Sequence, residues 1–179
     1  MILPGFRRRS QGRTIRALYG AVVAQARFAA FYAGYGVPDT VEGRFDLIVL
    51  HLVLLLRRLG QDSEFGRSLG QDLFDEFCRD LDANLREMGV GDLAVPKRMQ
   101  RFAEAFYGRQ AAYLDALAAT TDRQAFENAL SRNIFTGGIE DGAARLTRYA
   151  YAAMSEMAGQ ADDALLRGEV AFPSPDEIA

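Results

Sequence analysis

The chain has 179 residues, 49% hydrophobic and 25% charged, a composition that favours one globular domain with a sizeable core over a disordered chain. The chain has one cysteine, which excludes an intrachain disulfide. It also has only one histidine, so the two residue types together are too few for a zinc site of His and Cys ligands within one chain. The net charge is only −3, but residues 1–38 hold six arginines and no acidic residue. This asymmetry predicts either an anionic partner at the N-terminal end, such as RNA or lipid headgroups, or a solubilising tail.

The N-terminal region predicts a short basic segment followed by a helix. We expect residues 1–13 to be mobile, because Pro4 and Gly5 would break an early helix. No apolar h-region with a small-residue cleavage site follows the arginines, so we expect no secretory signal. Apolar residues at helical spacing then predict a first helix from Thr14 to near Gly34.

The second predicted helix, Thr40 to Arg58, is the most apolar part of the chain. Asp39 is expected to be its N-cap, with Glu42 completing a capping box. Its apolar run, residues 47–56, is too short for a membrane span, which needs roughly 20 residues, so the run predicts a core helix.

Residues 71–109 predict an antiparallel helical hairpin at the centre of the fold, after a polar linker from Gly60 to Gly70 that could contain one turn of helix at residues 64–68. Gly89 is suited to the end of the first helix, and Pro96 to the first turn of the second. The residues expected to face inward on the first helix are Phe74, Phe77, Cys78, Leu81, Leu85 and Met88. Those expected to face inward on the second are Met99, Phe102, Phe106, Gln110, Tyr113, Leu114 and Leu117.

The hairpin also carries charges of opposite sign on its two helices. The acidic arm consists of Asp75, Glu76, Asp80 and Asp82, and the basic arm of Lys97, Arg98, Arg101 and Arg109. These residues either solvate the hairpin and pair across it, or form a charged docking surface. Exposed ion pairs contribute only about 0–1 kcal/mol each, so stability alone is a weak reason for so many.

The rest of the chain predicts two more helices, residues 122–135 and 141–167, and a tail, residues 169–179, that is extended or loose because it holds two prolines. No segment alternates with a period of two. The prediction is therefore an all-α, single-domain bundle of about six helices, with the helical domain spanning residues 14–168.

The sequence offers no pattern of a catalytic or cofactor site in the structural context that its chemistry needs. Glu-x-x-His, which di-iron and di-manganese bundles use, does not occur. Gly-x-Ser-x-Gly occurs once, at residues 66–70, but no predicted strand precedes it, so it lacks the strand-to-helix turn that exposes a nucleophilic serine. The phosphate-binding Gly-x-x-x-x-Gly-Lys-Ser/Thr loop is absent. We therefore predict no metal and no cofactor. Cys78, on an apolar stripe, is predicted to be a small buried hydrophobe.

His51 leaves two interpretations open. It is either a core histidine bonded to a carboxylate or a tyrosine, or a ligand or proton carrier near Arg44 and Asp46. Because positions 44 and 51 lie on one helix face, Arg44 and His51 could share an environment.

Four segments of the chain carry a resemblance to a known family. They are YGAVVAQAR (19–27), GVPDTVEGRFDLIVLH (36–51), LREMGVGDLAVPKRM (85–99) and AFYGR (105–109). In order and spacing they resemble the ubiquinol–cytochrome c chaperone family, which has mitochondrial and alphaproteobacterial members. The resemblance implies an all-α assembly chaperone without catalytic activity.

The resemblance also implies the partners. Family members hold newly made cytochrome b until it enters the cytochrome bc1 complex, and mitochondrial members do so near the ribosome. A second assembly factor and the ribosome are further candidate partners, peripheral membrane contact is compatible with the family, and no DNA partner is expected. The implied location is the cytoplasmic side of the bacterial inner membrane, which corresponds to the matrix side in eukaryotic relatives.

We take as candidate partner-binding residues nine of the charged and aromatic positions of the family motif, together with Asp75 of the acidic arm. They are Arg44, Asp46, His51, Asp75, Asp80, Asp82, Arg86, Lys97, Tyr107 and Arg109. A client membrane protein has basic cytoplasmic loops, which the acidic arm could receive. Two alternatives stay open: a haem or quinone carrier that uses the apolar bundle interior and His51, and an enzyme that uses Arg44, Asp46 and His51.

Overall fold

The structure, a computed structural model, describes residues 4–60, 64–118, 123–136 and 140–178, and in these ranges it contains helices and no β-strand. The helices are α1 (Pro4–Ala26), α2 (Ala29–Ala33), α3 (Val41–Gly60), α4 (Glu64–Glu87), α5 (Val95–Ala118), α6 (Arg123–Ile134), α7 (Glu140–Ala158) and α8 (Asp162–Arg167). A single 3-10 turn, Pro175–Glu177, lies in the C-terminal tail. The predicted all-α bundle is confirmed, with the first and last predicted helices each divided in two.

Helix α3 is the element around which the others pack, since α1, α4, α5, α6 and α7 all contact it. Its residues from Leu47 to Leu55 are buried except for Ile48, which is half-buried. A helix that is apolar on every side can bury its apolar surface only when other helices surround it. The ten-residue apolar run is therefore a core helix, as predicted.

The N-terminus of α3 is capped by Thr40 and not by Asp39. The Gly43 N–H donates to Thr40 Oγ1 at 3.1 Å, which satisfies one of the free N–H groups of the first turn. Asp39 instead accepts a hydrogen bond from Arg44 Nε at 2.8 Å. Only glycine fits at position 43, because a Cβ there would clash with the Pro38 carbonyl oxygen.

Two helices begin earlier than the sequence predicts. Helix α1 begins at Pro4, since proline in a first turn loses no hydrogen bond, so Pro4 and Gly5 do not prevent it. Helix α4 begins at Glu64, where we allowed one turn of helix, and it continues without a break, so the predicted linker from Gly60 to Gly70 is wrong from Glu64 onward. Leu69 and Gly70 are buried in that first part of α4, and Gly70 allows α4 to approach Leu56 of α3 closely.

Two helices also end earlier than predicted, at breaks held by side chains. Between α1 and α2 the backbone of Phe28 is extended, and the Tyr32 hydroxyl donates to the Ala26 carbonyl at 2.8 Å. Between α7 and α8, Arg58 of α3 donates to the carbonyls of Met157 and Gln160, both at 3.0 Å. Both contacts satisfy carbonyl groups near a helix end that have no partner within the helix.

The predicted hairpin is formed by α4 and α5. Gly89 adopts a φ of 79°, which only glycine adopts without strain, and Val90 N–H donates to the Leu85 carbonyl at 3.0 Å to close the turn. Phe74 of α4 lies 4.7 Å from Phe106 of α5, ring centroid to ring centroid. The apolar interface between the two helices is therefore confirmed.

The C-terminal tail packs against the bundle, although we predicted it to be extended or loose. Its backbone is mostly extended, but Pro175 is buried, and the carbonyl oxygen of Pro175 accepts a hydrogen bond from Tyr35 at 2.8 Å. The Phe172 ring lies 5.4 Å from the His51 ring, centroid to centroid. The tail thus covers one side of the core near α2 and α3.

His51 belongs to a chain of buried hydrogen bonds that joins α1, α3, α7 and the tail. Nδ1 lies 2.7 Å from the Leu47 carbonyl and Nε2 lies 2.8 Å from the Tyr149 hydroxyl. A carbonyl only accepts, so Nδ1 carries the hydrogen and Nε2 accepts from Tyr149. Gln25 Nε2 donates to the Tyr149 hydroxyl and to the Pro173 carbonyl, both at 2.9 Å. Burial lowers the pKa of His51 to about 4, so the ring is neutral at pH 7.

We expect Tyr149→Phe to lower the free energy of unfolding by about 2 kcal/mol, measured by urea denaturation, because it leaves a buried acceptor on His51 without its donor. The matched control is Tyr151→Phe in the same helix: Tyr151 is half-buried, and its hydroxyl makes no hydrogen bond within the described ranges. The control should change stability by less than about 0.5 kcal/mol. Equal losses in the two variants would contradict a stabilising role for the network.

Candidate partner-binding site

The structure places Arg44, Asp46 and His51 in three separate environments. Arg44 is exposed and pairs with Asp39, whereas Asp46 faces α5, and His51 lies in the core with both ring nitrogens bonded. These three residues therefore do not form a common site, which removes the basis of the proposed enzyme. Neither nitrogen of His51 can ligate haem without breaking a buried hydrogen bond, and the side chain cannot contact a partner in this conformation.

Asp46 and Arg109 form an ion pair between α3 and α5. Arg109 Nη2 lies 2.7 Å from Asp46 Oδ1, and the Asp46 side chain is buried whereas that of Arg109 is about one-fifth exposed. The guanidinium also lies over the Phe45 ring, 5.6 Å from its centroid. The fold thus brings together Asp46 and Arg109, which the sequence alone does not show to be partners. Their contact helps to set the position of α5 against α3.

Burial of the Asp46 side chain changes the acidity of its carboxyl group. Burial raises the pKa of Asp46 to about 6 from an ordinary 3.8, although the nearby Arg109 charge acts in the opposite direction. Burial and the Asp46 charge also raise the pKa of Tyr113, which lies behind the pair on α5. At this point the contact between α3 and α5 includes an ion pair in addition to apolar packing.

The acidic arm lies on α4, and its carboxylates contact neighbours in the chain. Asp80 accepts a hydrogen bond from the Tyr19 hydroxyl at 2.8 Å, and Asp75 accepts one from Gln71 at 2.9 Å. Asp82 pairs with Arg86 at 2.7 Å. Asp75 and Asp80 are exposed and Asp82 is half-buried, so all three remain accessible to a partner in part.

The remaining candidate residues lie on α5 and in its vicinity. Lys97 is exposed near the start of the helix. Tyr107 is 55% exposed, and its ring lies 5.6 Å from that of Phe74. Arg86 also contacts Asp92 at 2.5 Å, so it bridges the end of α4 and the turn of the hairpin. These residues are on the surface but do not converge on one point.

A groove whose position the sequence did not predict opens next to the Asp46–Arg109 pair. It has a volume of about 510 Å³ and lies between the N-terminal part of α3, the C-terminal part of α4 and the first half of α5. Its lining comprises Val41, Glu42, Phe45, Asp46, Leu85, Met88, Arg98, Arg101, Phe102, Ala105 and Arg109. Of the predicted site residues only Asp46 and Arg109 line it.

Met88 shows why periodicity missed this groove. Its spacing predicts an inward position on the hairpin, but the side chain is 63% exposed, because α4 ends there and no helix covers it. Leu93, in the hairpin turn, is 99% exposed. The sequence feature that could have indicated the groove is the presence of these apolar residues between the end of α4 and the start of α5.

The arrangement of side chains and helices also bears on metal binding and on membrane spans. Within the described ranges no group of three or more His, Cys, Asp and Glu side chains is placed to hold a metal ion. No helix in those ranges is both long and apolar enough to cross a membrane.

We expect the Asp46 carboxyl group to make stability depend on pH. As the pH rises from about 4 to about 6, the unfolded chain loses this proton before the folded chain does. The free energy of unfolding should therefore fall by on the order of 3 kcal/mol over this range. Urea denaturation at several pH values should show this fall in the parent protein but not in Asp46→Asn.

The same comparison separates titration from loss of the ion pair. An asparagine at position 46 has no proton to titrate, so loss of the ion pair shifts the Asp46→Asn curve by a constant amount. Asp115→Asn, which removes an exposed carboxylate from α5, is the control and should leave the pH dependence unchanged. Parallel curves for the parent protein and Asp46→Asn would show that Asp46 titrates as an ordinary carboxyl group.

Comparison with known proteins identifies relatives along most of the chain. The sequence model of the ubiquinol-cytochrome C chaperone family matches residues 33–172. The chain is 26% identical over 124 residues to ubiquinol-cytochrome c reductase complex assembly factor 1 of Mus musculus, covering 69% of this chain and 41% of that protein. It is 22% identical over 124 residues to the protein of the same name in Xenopus laevis, covering 61% of it. The matches thus span less than two thirds of these vertebrate relatives.

A solved structure extends the similarity to the whole chain. The crystal structure of the Cbp3 homolog from Brucella abortus superposes with a TM-score of 0.87 and 38% sequence identity, covering 100% of both chains. The family match includes α3, the hairpin, the Asp46–Arg109 pair and the groove. The chain therefore belongs to the ubiquinol-cytochrome c chaperone family.

Proposed function

We propose that this protein is an assembly chaperone of the cytochrome bc1 complex that binds newly made cytochrome b at the cytoplasmic side of a bacterial inner membrane. The observation that carries the proposal is the full-length similarity to the Brucella abortus Cbp3 homolog, together with the family match over residues 33–172. The vertebrate relatives are named as assembly factors of the ubiquinol-cytochrome c reductase complex. A second assembly factor, the ribosome and peripheral membrane contact belong to the same proposal.

The acidic arm supports one part of this function. Membrane proteins concentrate Lys and Arg in their cytoplasmic loops, and an acidic helix face attracts such loops before they are assembled. Asp75, Asp80 and Asp82 present carboxylates along α4. Their contacts within the chain are with one amide, one hydroxyl and one guanidinium, so two of the three carboxylates are not neutralised by a cation.

Deletion of the gene tests the proposed function directly. We expect reduced-minus-oxidised difference spectra of the membranes to lose the bands of cytochromes b and c1 of the bc1 complex. The bands of other cytochromes should remain, and a plasmid copy of the gene should restore the lost ones. Normal bc1 bands in the deletion strain would refute the proposed function.

Neutral variants of the acidic arm test the client surface. The triple change Asp75→Asn, Asp80→Asn and Asp82→Asn keeps side-chain shape, and the amide oxygen that Asp80→Asn introduces can still accept the Tyr19 hydrogen bond. We expect capture of newly made cytochrome b, measured by immunodetection after pull-down, to fall about tenfold if each exposed pair contributes about 0.5 kcal/mol.

The matched control changes the same charge elsewhere. Asp115→Asn, Asp141→Asn and Asp163→Asn also remove three exposed carboxylates, but from α5, α7 and α8. This variant should capture cytochrome b as the parent protein does. Equal losses in both triple variants would mean that net charge, and not the acidic arm, governs capture.

A further inference from the structure

The groove between α3, α4 and α5 is large enough to receive one row of side chains from a partner element that lies along its surface. Its volume of about 510 Å³ lies within the roughly 300–1,000 Å³ of typical binding clefts. Its floor contains the half-buried rings of Phe45 and Phe102. A partner element would therefore lie along the groove and insert one row of side chains.

Exposed apolar side chains flank the groove on two sides. Val41, at the start of α3, is 68% exposed, and Met88, at the end of α4, is 63% exposed. Both line the groove, and no described element covers either. Exposed apolar side chains at the border of a groove with an aromatic floor favour an interaction there, because their contact with water is unfavourable.

The charges in the groove favour an acidic occupant. Arg109 is paired with the buried Asp46, so its charge is already neutralised. Arg98 and Arg101 are exposed, and neither has a carboxylate within 4 Å in the part of the chain that the structure describes. Glu42 is the one other carboxylate in the lining, so three arginines face two carboxylates there.

The spacing of the two free arginines favours a helical occupant. Residues three apart on a helix lie on the same side, so Arg98 and Arg101 present two guanidinium groups one turn apart along α5. An amphipathic helix places carboxylates at the same spacing beside its apolar stripe. Binding of such a helix in a groove between helices is an established mode of recognition.

We propose that this groove binds an acidic amphipathic helix of a partner protein, with its apolar face against Phe45, Met88 and Phe102 and its carboxylates on Arg98 and Arg101. The proposal rests on the proposed chaperone function for the existence of a protein partner, and it adds the chemistry that the partner must have. This partner segment is opposite in charge to the basic loops that the acidic arm would receive. The two surfaces therefore select different segments.

The test uses a designed probe, a fluorescent amphipathic peptide of about 15 residues, or four helical turns, with leucines on one face and paired glutamates beside them. We expect it to bind the full-length protein in fluorescence anisotropy. The same peptide with lysines in place of the glutamates should bind at least tenfold more weakly. Equal affinity for the two peptides would overturn the proposal.

Variants of the protein then locate the binding site. Arg98→Gln with Arg101→Gln should weaken binding of the acidic peptide about fivefold. Arg13→Gln with Arg16→Gln removes two exposed arginines of the same spacing from α1 and should have no effect. Equal weakening by both pairs would mean that the peptide responds to net charge and not to the groove.

A steric pair of variants tests the groove independently of charge. Ala105→Phe fills the groove, whereas Ala111→Phe adds the same ring to an exposed position on α5. Only the first should abolish peptide binding, and circular dichroism should show unchanged helicity for both. If Ala105→Phe binds the peptide normally, the groove is not the site.

Two other occupants would give distinct results. Sedimentation of the parent protein as a dimer that Ala105→Phe dissociates would identify a second copy as the occupant. Binding to phosphatidylglycerol vesicles that is lost in the Arg98/Arg101 variant, without peptide binding, would identify a lipid surface. Either result would overturn the proposal.

The outcome is separable from that of the proposed function. Loss of bc1 bands on deletion, with no peptide binding, would leave the chaperone function standing and remove this site. Normal bc1 bands with specific peptide binding would leave the site standing and assign it to another partner.

Discussion

The burial of α3 is the constraint on which the rest of the structure depends. A helix enclosed by five others must have every polar side chain satisfied by a neighbour, because an unpaired buried polar group is costly. His51 accepts a hydrogen bond from Tyr149 of α7, and the charge of Asp46 is compensated by Arg109 of α5. These two contacts act in addition to apolar packing, which is not directional, and they fix how α5 and α7 are positioned along α3. The close approach of Gly43 to Pro38 fixes the start of the same helix.

Helix existence could be predicted from the sequence, but helix boundaries could not in every case. Apolar periodicity is a local property, and it located α3 and α6 to within about two residues and the turn of the hairpin between α4 and α5. The break before α2 depends on Tyr32, and the break before α8 depends on Arg58, which lies far away in sequence. The start of α4 was missed because glycines oppose helix formation locally, whereas Gly70 favours it here by allowing close packing on α3.

The candidate site shows the same division between local and non-local information. Spacing along α3 correctly places Arg44, Asp46 and His51 on one helix, but it does not reveal which neighbour each side chain meets. Arg44 meets solvent and Asp39, and His51 meets the tyrosine network. The resemblance to the family selected Asp46 and Arg109 separately, and only the fold shows that they are partners. The groove beside them results from where α4 ends, which periodicity does not encode.

The proposed chaperone function sets a further requirement, because a chaperone must release its client as well as hold it. Exposed ion pairs contribute about 0–1 kcal/mol each, so a surface built from a few of them gives moderate and salt-sensitive affinity. The acidic arm and the free arginines of the groove are both of this kind. The strongly held charge, Asp46 with Arg109, is instead used within the fold, where it keeps α3 and α5 in register beneath the groove. Permanent contacts thus shape the proposed binding surfaces, and the weak charge interactions of their exposed residues suit partners that bind reversibly.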